Sequence, residues 1–235
     1  MSNKQQIIAI GGGGFGRQIK DLKIEKYIVQ QSEKNNPSIC FIPTATGDDG
    51  GYIDNFYKAF DSLKCRTSHI DFFKRTIDLK EHILKQDIIF VGGGNTKSML
   101  AVWREWGLDE ILFDVYNRGV IMSGVSAGAI CWIENGITDS WKDNQSILPC
   151  LNFVKGNCCP HYDEEPERIP FVSKILKSKE IDNCLAIEGF CALHVVDDLP
   201  KHIVSFGNES NCHFVSYKNN EISHNPITNT KRIEL

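Results

Sequence analysis

Apolar, β-branched runs recur along the chain with helical stretches between them: Gln6 to Ile10, Ser38 to Pro43, Thr67 to Phe72, Asp87 to Val91 and Val120 to Val125. Several of these, such as Ile88-Ile89-Phe90-Val91, are apolar at nearly every position rather than at every second one. A strand of that kind buries both faces, so the alternation predicts βαβ units around a parallel sheet with helices on either side. The clearest helix runs from Asn95 to Tyr116. There Met99, Leu100, Trp103, Trp106, Ile111, Leu112 and Val115 return every three or four residues, and Gly107 marks a break between two pieces. After Ser146 the pattern changes. Cys184 to Ile187, Cys191 to Val196, His202 to Phe206 and Cys212 to Tyr217 follow one another with short turns, with one helix around 167–178. Asn219-Asn220 is a hairpin signal. The expected fold is α/β: a three-layer sandwich with a mostly parallel central sheet and an antiparallel C-terminal extension, as one domain over 1–235.

Composition narrows the function classes. Hydrophobic residues at 41% and charged residues at 24% are those of a globular chain. The net charge is -4 with the basic residues scattered, so no stripe exists to neutralise phosphates, and no nucleic-acid partner is expected. The apolar run before the first glycines is too short for a secretory or membrane segment, which predicts a cytoplasmic protein without a membrane partner. Nine cysteines, several inside apolar runs, read as reduced core thiols. Cys158-Cys159 with His161 lacks a second ligand pair at metal spacing, so no metal and no cofactor are expected.

Three glycine-rich segments follow predicted strands. Gly11-Gly12-Gly13-Gly14-Phe15-Gly16 formally satisfies the dinucleotide fingerprint, but the second strand ends Phe41-Ile42-Pro43-Thr44-Ala45-Thr46 with no acid before Asp48 to hold a ribose. It is therefore expected to be a tight βα turn near the active edge of the sheet. Gly92-Gly93-Gly94-Asn95-Thr96 can turn its backbone N–H groups toward a ligand, so Gly94 and Asn95 are candidate substrate contacts; Asn95 or Thr96 can also cap the following helix. No Gly-Lys-Ser/Thr ending is present, which excludes a Walker phosphate loop.

The third segment carries the candidate chemistry. Gly124-Val125-Ser126-Ala127-Gly128 lies between an apolar strand and a helix, the setting of a nucleophile elbow. Small residues two before and two after Ser126 are needed because strand and departing helix crowd each other there. The N–H of Ala127 can then donate to a developing oxyanion. A serine needs a base, and among seven histidines His161 stands out, where a strand meets Pro160 and the acidic run Asp163-Glu164-Glu165. For the acid that orients the imidazole, Asp139, Asp163, Glu164 and Glu188 compete. Glu188, at the end of Cys184-Leu185-Ala186-Ile187, is the first choice. Asp163 and Glu164 stand too near His161 in sequence to reach around the ring easily, and Asp139 is the reserve.

Taken in order, GGGGF, FIPTAT, VGGGNT, GVSAGAICW, CPHYDEEPER and LAIEGFCALHVV resemble peptidase family S51, which contains dipeptidase E and cyanophycinase. The resemblance implies a fold related to the class I glutamine amidotransferase and flavodoxin-like group. It implies a Ser-His-Glu triad on Ser126, His161 and Glu188, with oxyanion donors at Gly93 and Ala127. It also implies that Arg168 pairs with an aspartyl carboxylate of the substrate; otherwise Arg168 is a solvated helix start. The expected activity is hydrolysis of short peptides, in the manner of a dipeptidase E-like exopeptidase, by a monomer or homodimer. The alternatives are a noncatalytic relative that binds a small ligand or partner, and a hydrolase of another amide or ester. An amidotransferase would be expected to carry cysteine at position 126, which is serine here.

Overall fold

The structure is a computed structural model, and it describes residues 4–17, 21–142, 144–207 and 209–235. In chain order the elements begin with β1 (Gln6–Ile10), α1 (Lys23–Gln30), β2 (Ser38–Ile42), α2 (Gly50–Ser62), β3 (Arg66–His69) and α3 (Leu79–Ile83). They continue with β4 (Ile88–Val91), α4 (Thr96–Glu105), α5 (Leu108–Asn117), β5 (Ile121–Val125), α6 (Ala127–Ile130), β6 (Ile133–Trp141), β7 (Asn144–Pro149) and β8 (Val154–Cys159). The chain ends with α7 (Arg168–Lys177), β9 (Asn183–Ile187), β10 (Cys191–Val196), β11 (Leu199–Ser205), β12 (Cys212–Lys218), β13 (Glu221–Pro226) and β14 (Lys231–Glu234).

The expected parallel core is present as β1-β5-β4-β2-β3, every neighbouring pair of which runs parallel. Apart from the edge strand β3, its strands are buried on both faces, and the alternation of side chains sorts them into two layers. Ile8, Ile10, Ile39, Phe41, Ile88 and Phe90 pack with Ile24, Ile28, Phe56 and Phe60 of α1 and α2. Ile7, Ala9, Cys40, Ile42, Ile89 and Val91 pack with Met99, Leu100, Trp103, Leu108 and Leu112 of α4 and α5. Gly107, at φ 64, separates α4 from α5 where the sequence placed the break. Asn95 caps α4, its side chain accepting from the Ser98 N–H at 2.9 Å. Among the described residues, no helix is long and apolar enough to cross a membrane.

The C-terminal region departs from the expectation of one extended sheet. Antiparallel β10 and β11, with β14 parallel to β11, do continue the first sheet beyond β1. However, β9, β12 and β13 belong to a second, six-stranded sheet of order β13-β12-β9-β8-β6-β7. The hairpin at Asn219-Asn220 joins β12 to β13, with Lys218 opposite Glu221. The hydrophobic pattern did not disclose β6 and β7, because their positions are mostly half-buried or exposed and carry polar residues. The two sheets share a core: Ile89 and Met122 of the first and Cys158, Ile187 and Cys212 of the second fall in one buried cluster.

Candidate active site

Three adjacent parallel strands, β1, β5 and β4, each end in a glycine-rich segment, so the three segments meet at the carboxyl edge of the sheet. β5 ends at Val125, and the next residue, Ser126, adopts φ 58 and ψ -111, a backbone conformation that costs an L-residue of order 1–3 kcal/mol. The flanking glycines explain how the chain turns so sharply there. A Cβ on Gly124 would lie 2.5 Å from the Gly128 carbonyl oxygen, and one on Gly128 would lie 2.2 Å from that of Val91. Strand and helix therefore touch backbone to backbone, leaving the Ser126 side chain on the open side. The β4 loop approaches from one flank, where a Cβ on Gly93 would be 3.2 Å from Ser126 Cβ.

The histidine comes from the other sheet. β8 ends at Cys159, and after Pro160 the chain places His161 at φ 51, its N–H donating to the Gly11 carbonyl at 3.2 Å. His161 Nε2 lies 2.8 Å from Ser126 Oγ. Its Nδ1 lies 2.5 Å from Glu164 Oε2. Glu164 was set aside in the sequence as too close to the ring, and the local backbone explains the difference. The N–H groups of Glu164 and Glu165 both bond to the His161 carbonyl, so the chain makes a helical turn that returns the i+3 side chain to the face of residue i.

Glu188, the first choice from sequence, is placed elsewhere. Its Oε1 is 2.8 Å from His213 Nε2 and its Oε2 accepts from the Asn211 N–H at 2.7 Å. Pairing of β9 with β12 carries the residue after Ile187 toward Asn211 and His213, away from the imidazole of His161. Asp139 is also apart from His161, 3.5 Å from Arg168 Nη2. Asp163 accepts from the Gly189 N–H at 2.7 Å and so ties down the turn that follows β9.

The GGGGF segment is a tight turn packed on this pair. A Cβ on Gly12 would sit 2.4 Å from Glu164 Oε2 and 2.9 Å from His161 Nδ1, and one on Gly189 would sit 2.4 Å from Glu164 Cδ. Only bare backbone fits on either side of the carboxylate. Asp48, the acid nearest the end of β2, accepts from the N–H groups of Phe72 and Phe73 and is not available to a ribose. Arg17, which ends the same turn, forms an ion pair with Glu164 Oε1. Burial works to raise the Glu164 carboxyl, but hydrogen bonds from His161 and Arg17 outweigh it and hold it below the usual carboxylate range. An ionised Glu164 accepts only, so Nδ1 carries the proton and Nε2 is left to accept from the Ser126 hydroxyl.

A cleft of about 620 Å³ opens over Ser126 and His161, walled by Arg17, Gly93 and the start of α2. Tyr52 of α2 lines it, and burial pushes its phenol up to about 12. Sequence reasoning missed Tyr52 and Arg17, since neither carries a motif. Of the expected substrate contacts Gly94, Asn95 and Arg168, the last two need correction. Gly94, at φ 134, is where the backbone passes Ala45, and a Cβ there would be 2.3 Å from the Ala45 oxygen. The Asn95 amide is spent on the α4 cap and on the Ser140 carbonyl at 3.0 Å. Arg168 is 2% exposed, donating to Glu165 Oε2 at 2.7 Å and to the Ile137 carbonyl at 2.9 Å. It braces α7 against β6 and has no access to the cleft, so it is neither a substrate contact nor a solvated helix start.

A serine on a strained strand-to-helix turn, bonded to an imidazole that a carboxylate orients, is the geometry of serine hydrolases of the elbow type. Residues 7–203 match peptidase family S51, and the chain belongs to that family of serine-type peptidases. It is 42% identical over 224 residues to uncharacterized peptidase YgaJ of Bacillus subtilis (strain 168), which covers 95% of this chain and 97% of that protein. Two solved structures share the fold. A peptidase from an acI-B1 actinobacterium superposes with a TM-score of 0.69 at 14% identity, over 97% of each chain. A candidate peptidase E from Listeria monocytogenes EGD-e superposes with a TM-score of 0.62 at 20% identity, over 84% of this chain and 96% of that one.

Proposed function

We propose that this chain is a cytoplasmic exopeptidase of short peptides in which Ser126 is the nucleophile, His161 the general base and Glu164 the orienting acid. The observation that carries the reading is the unbroken line Ser126 Oγ to His161 Nε2 at 2.8 Å and His161 Nδ1 to Glu164 Oε2 at 2.5 Å. His161 takes the hydroxyl proton as Ser126 attacks the scissile carbonyl. The N–H groups of Gly93 and Ala127 are the proposed oxyanion donors, one from the loop beside Ser126 and one from the first residue of α6. His161 then returns the proton to the leaving amine. Water, deprotonated by the same imidazole, releases the acyl group. A cleft of about 620 Å³ suits a peptide of a few residues. With Arg168 buried, a preference for aspartyl peptides has lost its proposed reader.

The test is a panel of dipeptides and amino-acyl p-nitroanilides, N-terminal Asp included, run with wild type and Ser126→Ala. Ser126→Ala is expected to fold and to lose turnover. A fluorophosphonate probe should add one adduct, located on Ser126 by peptide mass mapping. Equal turnover by the variant would end this reading, as would an unlabelled Ser126 with no substrate cleaved.

A further inference from the structure

The carboxylate proposed to orient His161 is held from more than one side. Gly12 and Gly189 leave no room behind it, and Arg17 takes the oxygen that His161 does not. The position of Arg17 is itself built. Its N–H donates to the Gly14 carbonyl at 2.9 Å, closing a turn in which Gly13 and Gly14 adopt φ 93 and φ 78. Beneath that turn Glu25 of α1, fully buried, accepts from the Phe15 N–H at 2.6 Å. The Phe15 ring is locked among Phe41, Phe56, Phe60 and Phe90.

This much construction is out of proportion to the stability an ion pair at such a site supplies. The Arg17 side chain is 48% exposed, and ion pairs between exposed side chains add little to stability. Its effect on geometry is another matter. A carboxylate free to rotate about its last bond would offer either oxygen, or neither, to Nδ1, whereas one pinned at Oε1 presents Oε2 to the ring.

We propose that Arg17 is a positioning residue of this site, acting through Glu164 to fix the orientation and the charge of the carboxylate that holds His161. The proposal rests on His161 and Glu164 being the base and its orienting acid. Arg17 also lines the cleft, so contact with a substrate carboxylate is the competing role that the experiment must separate.

The experiment is a double-mutant cycle on the full chain with Arg17→Gln and Glu164→Gln, read first as the rate of Ser126 labelling by a fluorophosphonate, which carries no carboxylate. Arg17→Gln is expected to slow labelling roughly 10- to 100-fold, the cost of a slightly misplaced catalytic group. It should move the acid edge of the rate against pH upward, because Glu164 then protonates more readily. In the Glu164→Gln background it should have less than about a twofold further effect, since coupled residues do not add. Arg17→Lys should recover part of the rate. Labelling at the wild-type rate, or effects that multiply independently, would overturn the proposal. So would a loss confined to the KM of carboxylate-bearing peptides. A second readout is the downfield NMR resonance of the His161 Nδ1 proton. If wild-type Ser126 is not labelled, the peptidase mechanism fails, and this resonance still decides Arg17: it shifts in Arg17→Gln if Arg17 positions Glu164, and an unmoved resonance refutes that.

Discussion

Two histidine–glutamate pairs lie where β8 and β9 of the second sheet end, and they differ in what surrounds them rather than in their bonds. His161 and Glu164 are 2.5 Å apart, His213 and Glu188 2.8 Å. In the first pair the second imidazole nitrogen faces the Ser126 hydroxyl beneath an open cleft, and a cation holds the far carboxylate oxygen. In the second, the far oxygen caps a backbone N–H at Asn211, and neither residue lines the cleft over Ser126. The Glu188 pair fastens β9 to β12 ahead of the turn that supports Glu164. An acid on an imidazole is thus not a catalytic signature. The third partner and the access of substrate make it one.

The strongest way to break this contrast is to remove each imidazole in turn. His161→Ala should lower kcat/KM by roughly a thousandfold or more, as loss of a catalytic base does, while His213→Ala should stay within about threefold. Steady-state kinetics on the best substrate of the peptide panel decides it. A large loss at His213 would mean that the second pair takes part in the chemistry.

Exchanging the acids sharpens the contrast further. Glu164→Gln keeps the shape but removes the charge that fixes the tautomer, and kcat should fall by about 10²- to 10⁴-fold with KM little altered. Glu188→Gln should leave kcat unchanged within about threefold. The reverse ranking in kcat would restore Glu188 as the orienting acid.

The smallest expected effect concerns how the site's carboxylates ionise, and Glu25 provides the counterpart to Glu164. Burial drives Glu25 up from the ordinary 4.5 to about 7, against the hydrogen bond from Phe15, with Asp21, Lys26 and Tyr52 as its charged or titratable neighbours. Between those two values the native state holds a proton that the unfolded chain has released, so stability declines as pH rises from about 4.5 to about 7. The separation corresponds to on the order of 3 kcal/mol at most. Glu25→Gln should flatten that decline in urea unfolding measured across the window, whereas a slope that survives the substitution would assign it to other groups. Glu164 works in the opposite sense: held ionised in the fold, it contributes stability that is lost only as pH falls through the acid range.

Much of the architecture was legible because it follows from periodicity. Strands apolar on both faces announced the parallel core, and β1 and β10 fall on the predicted residues. Gly107 and Asn95 marked the helix break and the cap by their own backbone and side-chain chemistry. Ser126 was readable because an elbow needs glycines at fixed offsets, and the crowding at Gly124 and Gly128 shows why. The β6–β7 hairpin was not readable, since half-buried polar strands carry no strong alternation.

The amino-acid sequence by itself determined the elements whose causes are local: the buried strands, the caps and breaks, the elbow at Ser126, and His161 as a histidine at a strand end. Tertiary structure decided that Glu188 does not meet that histidine. A helical turn brings Glu164 back onto the ring, and β9–β12 pairing carries Glu188 to His213. It also decided that Arg168 is buried and that Arg17, 147 residues away from Glu164 in the chain, stands against its carboxylate. Such choices depend on how two sheets and a glycine turn dock, and no spacing along the chain encodes the distance between residues that docking brings together.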